Sequence, residues 1–287
     1  MVRVSAVVAA LISALINVQS ALAQERSITV GAPSGALISL LQELGPMFRA
    51  DTGVEVRVAR INPGGSSPDV TLDAAIKPSH GSAPREDAGS RAIFFGEAVL
   101  VGSRADRARV KGLRDIRAAL RWISSARGLY VASSPALGLR ELELSLWDSI
   151  GVNVRTRLTW YVEASGDEDR VYSQAADLGA YVLVERATWA AQRDRRGLEM
   201  LVAGDPMLRT TYSSQLLRSS DDARSWHEWL SSDTSRAAIS GWRLGGIQVF
   251  APAAEPALDR QGVLHDLKPP AAGPAQSSRL FATSAHP

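Results

Sequence analysis

Leu37, Leu41, Leu44 and Phe48, with Leu40 and Met47 beside them, lay one apolar stripe along a helix from about Gly35 to Arg49. Short β-rich runs flank it at Ser27 to Val30 and at Val54 to Ala59. Apolar residues three and four apart share a helix face that must be buried against another layer, and the flanking runs favour extended backbone. The same alternation continues downstream. The apolar run Ala98 to Gly102 precedes a helix from about Leu113 to Ser125 and a strand at Gly128 to Ala132. A further helix carries Leu139, Leu142, Leu146 and Ile150, and strands follow near Thr159 to Val162 and Tyr181 to Val184. This order of elements predicts an α/β protein.

With 287 residues, 45% hydrophobic and 22% charged, the chain can bury one large or two ordinary cores. The absence of cysteine excludes disulfides, a cysteine nucleophile, a thiolate metal site and a lipidated cysteine after a leader. The 32 basic residues nearly balance the 30 acidic ones, unlike the lopsided charge of a general nucleic-acid binder. From Arg104 to Arg127, however, eight basic residues face only Asp106 and Asp115. That stretch reads either as a solvated helix face or as a surface that steers the protein to an acidic permease face or an anionic membrane.

Residues 1–23 carry Arg3, an apolar stretch from Val4 to Val18 broken by Ser5, Ser13 and Asn17, and Ala21-Leu22-Ala23 before Gln24. This is a signal-peptide pattern with an A-x-A-like cleavage site. The stretch falls short of the roughly 20 residues needed to span a bilayer, and no second one follows, so no stable membrane insertion is expected after cleavage. Export without a lipidatable cysteine points to a periplasm. Residues 62–91, rich in Pro, Gly, Ser and Asp, read as a long loop around the apolar piece Val70 to Leu72. Residues 251–287 read as a mobile tail rich in Pro and Ala.

Four stretches carry a resemblance to a known family: ALISLLQELGPMFRADTGVEVRV at 36–58, FFGEAVLVGSRADRARVKGLRDIRAAL at 94–120, WYVEAS at 160–165 with DLGAYVLVERATW at 177–189, and WHEWLSSDTSRAAISGWRLGGIQVF at 226–250. In this order and spacing the chain resembles the extracytoplasmic solute-binding proteins of ABC importers, most of all their tungstate-binding, oxyanion branch. The resemblance implies the two-lobed periplasmic-binding-protein (Venus-flytrap) fold with two hinge crossings. Lobe one is then 27–95 plus 210–250, and lobe two is 96–209. It also implies a monomer that closes around a small molecule or oxyanion and hands it to an ABC permease. Helices that begin just after a strand would aim unsatisfied N–H groups into the cleft between such lobes.

The ligand-binding candidates follow from that frame. Ser34 and Gly35 open the first helix, where Ser34 either caps the helix or donates to a ligand. Ser133 and Ser134 precede Pro135, which suits a first helical position after a serine cap. There the chain departs from the family, with Ser133 about where an arginine is expected and Leu137 and Leu139 about where hydroxyls are expected. Asp167 lies in the acidic turn Gly166-Asp167-Glu168-Asp169-Arg170, which is either a solvated loop or a cleft wall opposed to anions. Tyr212 and Ser213 lie on a strand whose family counterpart faces the cleft, and Arg209 beside them is a candidate for the missing cation.

No nucleophile, base and orienter come together, and His80, His227, His265 and His286 fit no catalytic or metal motif. The expectation is a binding protein, with no enzymatic activity, no cofactor, no metal and no nucleic acid. The alternative is a diverged relative that has lost oxyanion binding and acts as a sensory or accessory interaction protein, or binds a different small ligand.

Overall fold

The structure, a computed structural model, describes residues 26–61, 70–80, 89–135, 137–156 and 158–253. The leader and nearly all of the proposed tail therefore lie outside the described residues. The chain opens as β1 (Ser27–Ala32), α1 (Gly35–Thr52) and β2 (Glu55–Arg60), with β1 and β2 parallel. Leu37, Leu41, Leu44 and Phe48 are all buried under the sheet, as the stripe requires. Gly53, at φ 75°, ends α1 by returning its N–H to the Arg49 carbonyl, a left-handed turn that glycine adopts without a Cβ penalty.

β3 (Ala74–His80) and β4 (Ser90–Ser103) follow, then α2 (Ile116–Ser125), β5 (Tyr130–Ala132), α3 (Leu139–Ser149) and β6 (Tyr161–Glu163). The remaining elements are α4 (Glu168–Leu178), β7 (Tyr181–Glu185), α5 (Arg186–Ala191), β8 (Leu198–Val202), β9 (Arg209–Leu216), α6 (Asp221–Trp229), α7 (Asp233–Gly241) and β10 (Ala251–Pro252). The strands order as β2-β1-β3-β9-β4-β7-β5-β6, with β8 and β10 also paired to β4.

β4 joins the two halves. Its residues Ser90 to Glu97 pair with β9, whereas Ala98 to Val101 pair with β7 and Leu100 to Ser103 with β8. The chain returns through Ala203 to Leu208 into β9, so two strand crossings connect the lobes. One core gathers α1, β1, Phe94, Trp226 and Phe250. In the other half alternate residues of β4 part to two faces: Ala98 and Leu100 meet α2, Tyr130 and Trp147, while Val99 and Val101 meet Val171 and Tyr172. The helix α5 is shared, since Ala187 and Ala190 pack with α1 and Trp189 packs with Tyr172.

Asp205, buried on the return crossing, accepts the Ile116 N–H at 2.7 Å and the Met207 N–H at 2.8 Å. It thereby fastens the start of α2 to the hinge. Replacing Asp205 by alanine leaves both donors unpaired, and an expected loss of about 1–3 kcal/mol would be read from urea denaturation.

Three expectations need correction. Residues 74–80 are not part of a loop but a strand between β1 and β9. Pro78 is tolerated because β1 pairs only with Ala74 and Ala75, so among the described residues no strand lies on that side of Pro78. Pro135 is not a first helical residue, for α3 begins at Leu139 after Gly138. The acidic turn is the start of α4, with Asp167 as its cap accepting the Arg170 N–H.

Candidate functional site

The starts of α1, α3 and α4 each follow the end of a strand, β1, β5 and β6 respectively. On lobe one, β1 leads into α1, and the Ser34 side chain accepts the Leu37 N–H at 3.4 Å. The first turn of α1 contains no acidic residue. Gly35 is exposed, and a Cβ placed on it would meet only the Arg60 guanidinium, at 3.8 Å. Arg60 ends β2 opposite Ala32 and makes no ion pair among the described residues. A helix start without its own carboxylates, beside a guanidinium, attracts negative charge.

Lobe two presents the opposite sign. Beyond β5, the N–H of buried Ser133 donates to Glu143 at 2.8 Å, while the Ser133 hydroxyl is buried without a partner. Glu143 also accepts the Tyr161 hydroxyl and Arg140 Nη1, the latter at 3.1 Å. Arg140 continues to Tyr161 Oη at 2.9 Å and to Glu163 at 2.8 Å. Burial pushes the Glu143 carboxyl up to about 7, against the opposing pull of Tyr161, the Ser133 N–H and Arg140.

At the start of α4, Asp167 accepts the Arg170 N–H at 3.0 Å and Asp169 accepts Gln192 Nε2 at 2.9 Å. Half-buried Glu168 accepts the Thr188 hydroxyl from α5. Burial raises the Glu168 carboxyl and the Thr188 bond opposes the rise, with the neighbouring charges of Asp169 and Asp167 adding to it. Behind it, Glu185 at the end of β7 accepts Thr210 Oγ1 at 3.3 Å and Tyr212 Oη at 3.5 Å from β9. Burial, with Glu168 beside it, lifts Glu185 to about 8.

His80 Nδ1 lies 3.0 Å from Thr210 Oγ1, and burial holds the imidazole down to about 4. The Thr210 hydroxyl can donate or accept, so it bridges the His80 ring and the Glu185 carboxyl with either ring tautomer. The His80 Nε2 lies 3.7 Å from the position a Cβ on Gly138 would take, just before α3. Glu97 ties the crossings together by pairing with Arg186 and accepting the Gly204 N–H at 2.8 Å.

Of the residues chosen from sequence, Ser34 and Gly35 stand at the free helix start, and Ser133 and Ser134 are buried at the end of β5. Asp167 is exposed and occupied as a cap. Tyr212 is stacked on Phe94 at 5.0 Å and reaches the group only through its hydroxyl. Ser213 alternates to the other face of β9 and is not brought to it. Arg209 lies over the Phe95 ring instead. Sequence reasoning missed Arg60, Glu185, Arg140 and Glu143, and had Glu168 only as part of the acidic turn. A separate groove of about 240 Å³ between α1 and α7, lined by Leu40, Met47, Ala238 and Trp242, contains neither a helix start nor this polar group. No group of three or more metal-ligating side chains and no helix long and apolar enough to cross a membrane occurs among the described residues.

No protein-family model matches the chain. It is 25% identical over 234 residues to the tungstate-binding protein TupA of Peptoclostridium acidaminophilum, covering 74% of this chain and 80% of that protein. Its fold matches the tungstate-binding protein TupA from Desulfovibrio alaskensis with a TM-score of 0.68 and 25% identity, over 80% of this chain and all of the other. The tungstate ABC transporter structure from Geobacter sulfurreducens superposes with a TM-score of 0.64 and 21% identity, over 76% and 99% of the two chains, and supports the fold. The fold is therefore the two-lobed periplasmic-binding-protein fold, and the chain resembles oxyanion-binding substrate-binding proteins of ABC transporters. The curated relative and the solved structures are named for tungstate binding and tungstate transport.

Proposed function

We propose that the protein is the periplasmic solute-binding component of an ABC importer, exported by a leader at 1–23, that holds a small anionic ligand of the tungstate or molybdate type between its lobes. Lobe one comprises about 27–95 plus 210–250 and lobe two about 96–209, hinged at Glu97 and at Gly204 to Leu208. Ligand binding shifts the lobes from open to closed, and the closed monomer presents the ligand to a permease. The observation that supports this reading is the start of α1: Ser34, exposed Gly35 and the Arg60 guanidinium, which lies 3.8 Å from where a Cβ on Gly35 would stand and makes no ion pair among the described residues. It lies beyond the carboxyl ends of β1 and β2, where open α/β folds hold their ligands. Ser133 and Ser134 supply hydroxyls from the facing lobe.

A second reading, a relative that has lost oxyanion binding in favour of another ligand or a sensory role, is favoured by Asp167, Glu168 and Glu143 on lobe two, which already occupy the donors there.

Thermal unfolding of the purified protein, unfolded and refolded to remove bound solute, separates the two. The panel is tungstate, molybdate, sulfate, phosphate, calcium and several amino acids. An oxyanion at a hundred times its Kd adds about 2.7 kcal/mol, worth several degrees. Arg60→Ala is expected to weaken that binding about tenfold or more, or about 1.4 kcal/mol. A shift that survives the substitution unchanged would remove Arg60 and the α1 start from the site, and silence from every oxyanion would favour the second reading.

A further inference from the structure

We infer that His80 is a ligand-contacting residue of the cleft, its Nε2 donating to an oxygen of an oxyanion bound at the start of α3. The inference rests on the oxyanion reading above and adds to it a donor that no motif in the sequence marks. Three observations place the ring. β1 and β3 are parallel, so His80, the last residue of β3, lies toward the carboxyl ends of the strands, on the side where β1 turns into α1. Its side chain is only 10% exposed and is held through Nδ1, 3.0 Å from Thr210 Oγ1. Its Nε2 lies at the start of α3, 3.7 Å from where a Cβ on Gly138 would stand, and among the described residues no other atom outside the adjoining chain comes within 4 Å of that point.

Glycine at 138 leaves that space open. Its φ of −60° and ψ of −23° suit any L residue, yet it is exposed and gives α3 no side-chain cap. Just upstream, at the end of β5, the Ser133 hydroxyl is buried without a partner among the described residues. An uncapped helix start and a buried, unpaired hydroxyl both suit a ligand rich in acceptors. Of the carboxylates on α3, Glu141 is exposed and Glu143 is turned to Arg140 and Tyr161. An oxyanion oxygen only accepts, so it selects the neutral ring tautomer with its proton on Nε2. Thr210 then donates to Nδ1, and the Glu185 carboxyl, kept protonated by burial, donates to Thr210. That chain of bonds is satisfied with no net uptake of a proton.

The test joins isothermal titration with tungstate and with sulfate at pH 7.5 to magnetic resonance of isotope-labelled histidine ring nitrogens. Wild type, His80→Ala and Gly138→Val are titrated, and melting without ligand verifies that each is folded. Valine at 138 crowds Nε2 from an exposed position, so it decides the case if the alanine protein does not fold. The expected result is at least tenfold weaker binding by both variants. Tungstate should also move the Nε2 resonance of His80 and leave unmoved that of His227, whose Nδ1 is 3.0 Å from Ser214 Oγ. Affinity equal to wild type in both variants overturns the inference and leaves the oxyanion reading standing. So does a loss of affinity with the His80 ring unmoved, since the residue would then only position its neighbours. Silence from every oxyanion in wild type removes the inference together with the reading it rests on.

Discussion

Replacing Arg140 by alanine is expected to destabilise the protein by about 3 kcal/mol at pH 8 and by about 1.5–2 kcal/mol at pH 6. Arg140 is nearly buried and holds Glu143, Tyr161 and Glu163 together from the first turn of α3. Glu143 is almost inaccessible, and its carboxyl is lifted from the ordinary range to about 7 by burial. Above that pH the side chain is ionised, so removing Arg140 strands a buried carboxylate whose remaining partners are the Tyr161 hydroxyl and the Ser133 N–H. Below it the acid is largely protonated, and only the arginine's hydrogen bonds and packing are lost. Urea denaturation at the two pH values measures the difference. An equal loss at both would mean that Glu143 stays ionised throughout, stabilised by its hydrogen bonds more than burial opposes it.

The layered α/β fold was legible because its strongest signals are local. The stripe Leu37, Leu41, Leu44 and Phe48 dictates a buried helix face whatever surrounds it, and each of those residues is buried. The run Ala98 to Gly102 reads as a strand because both of its faces are covered, by Tyr130 and Trp147 on one side and by Val171 and Tyr172 on the other. β3 was not legible. Its only apolar residues are Ala74, Ala75 and Ile76, and its second half carries Lys77, Pro78, Ser79 and His80, which hold the extended form by pairing with β9. That pairing is a tertiary contact with residues far along the chain. The start of α4 was hidden for a related reason, because Gly166-Asp167-Glu168-Asp169 looks like a solvated turn until the helix behind it is seen. Those same carboxylates suit a helix N-terminus well.

The candidate site was legible only where a glycine or hydroxyl marks a helix start, at Ser34, Gly35, Ser133 and Ser134. Arg60 gives no local sign, since it reads as the last residue of an exposed strand edge. It acquires meaning from its place beside Ala32, which brings it to Gly35. Glu185 and His80 are more than a hundred positions apart in the chain and meet only because β3 and β7 both run to the junction, with Thr210 between them. The charge of lobe two was visible as a composition. Which of those charges faces the other lobe is a property of the fold.

Glu185→Gln is expected to flatten the dependence of stability on pH. The wild-type carboxyl ionises near 4.5 in the unfolded chain but only near 8 in the folded one. The folded state therefore holds the extra proton over that interval, and stability falls as pH rises through it. Glu143 acts in the same sense up to about 7. His80 acts oppositely: burial lowers it from 6.5 to about 4, so its contribution is present above 6.5 and lost as the pH falls toward 4. Above pH 6.5 the two carboxyls act without that compensation. Wild type should lose about 2–3 kcal/mol between pH 6.5 and 8, and Glu185→Gln about 1 kcal/mol or less, since each unit of pH is worth about 1.4 kcal/mol for a fully retained proton. The groups around Glu185 favour this assignment. Glu168 and Glu97 both oppose its ionisation, Arg186 is occupied by Glu97, and His80, 3.9 Å away, is kept neutral by burial. Denaturation across that range would decide it. Parallel slopes for the two proteins would mean that Glu185 is ionised in the native state and that His80 beside it is its protonated partner, which would make the junction of the lobes a buried ion pair instead of a pair of neutral groups.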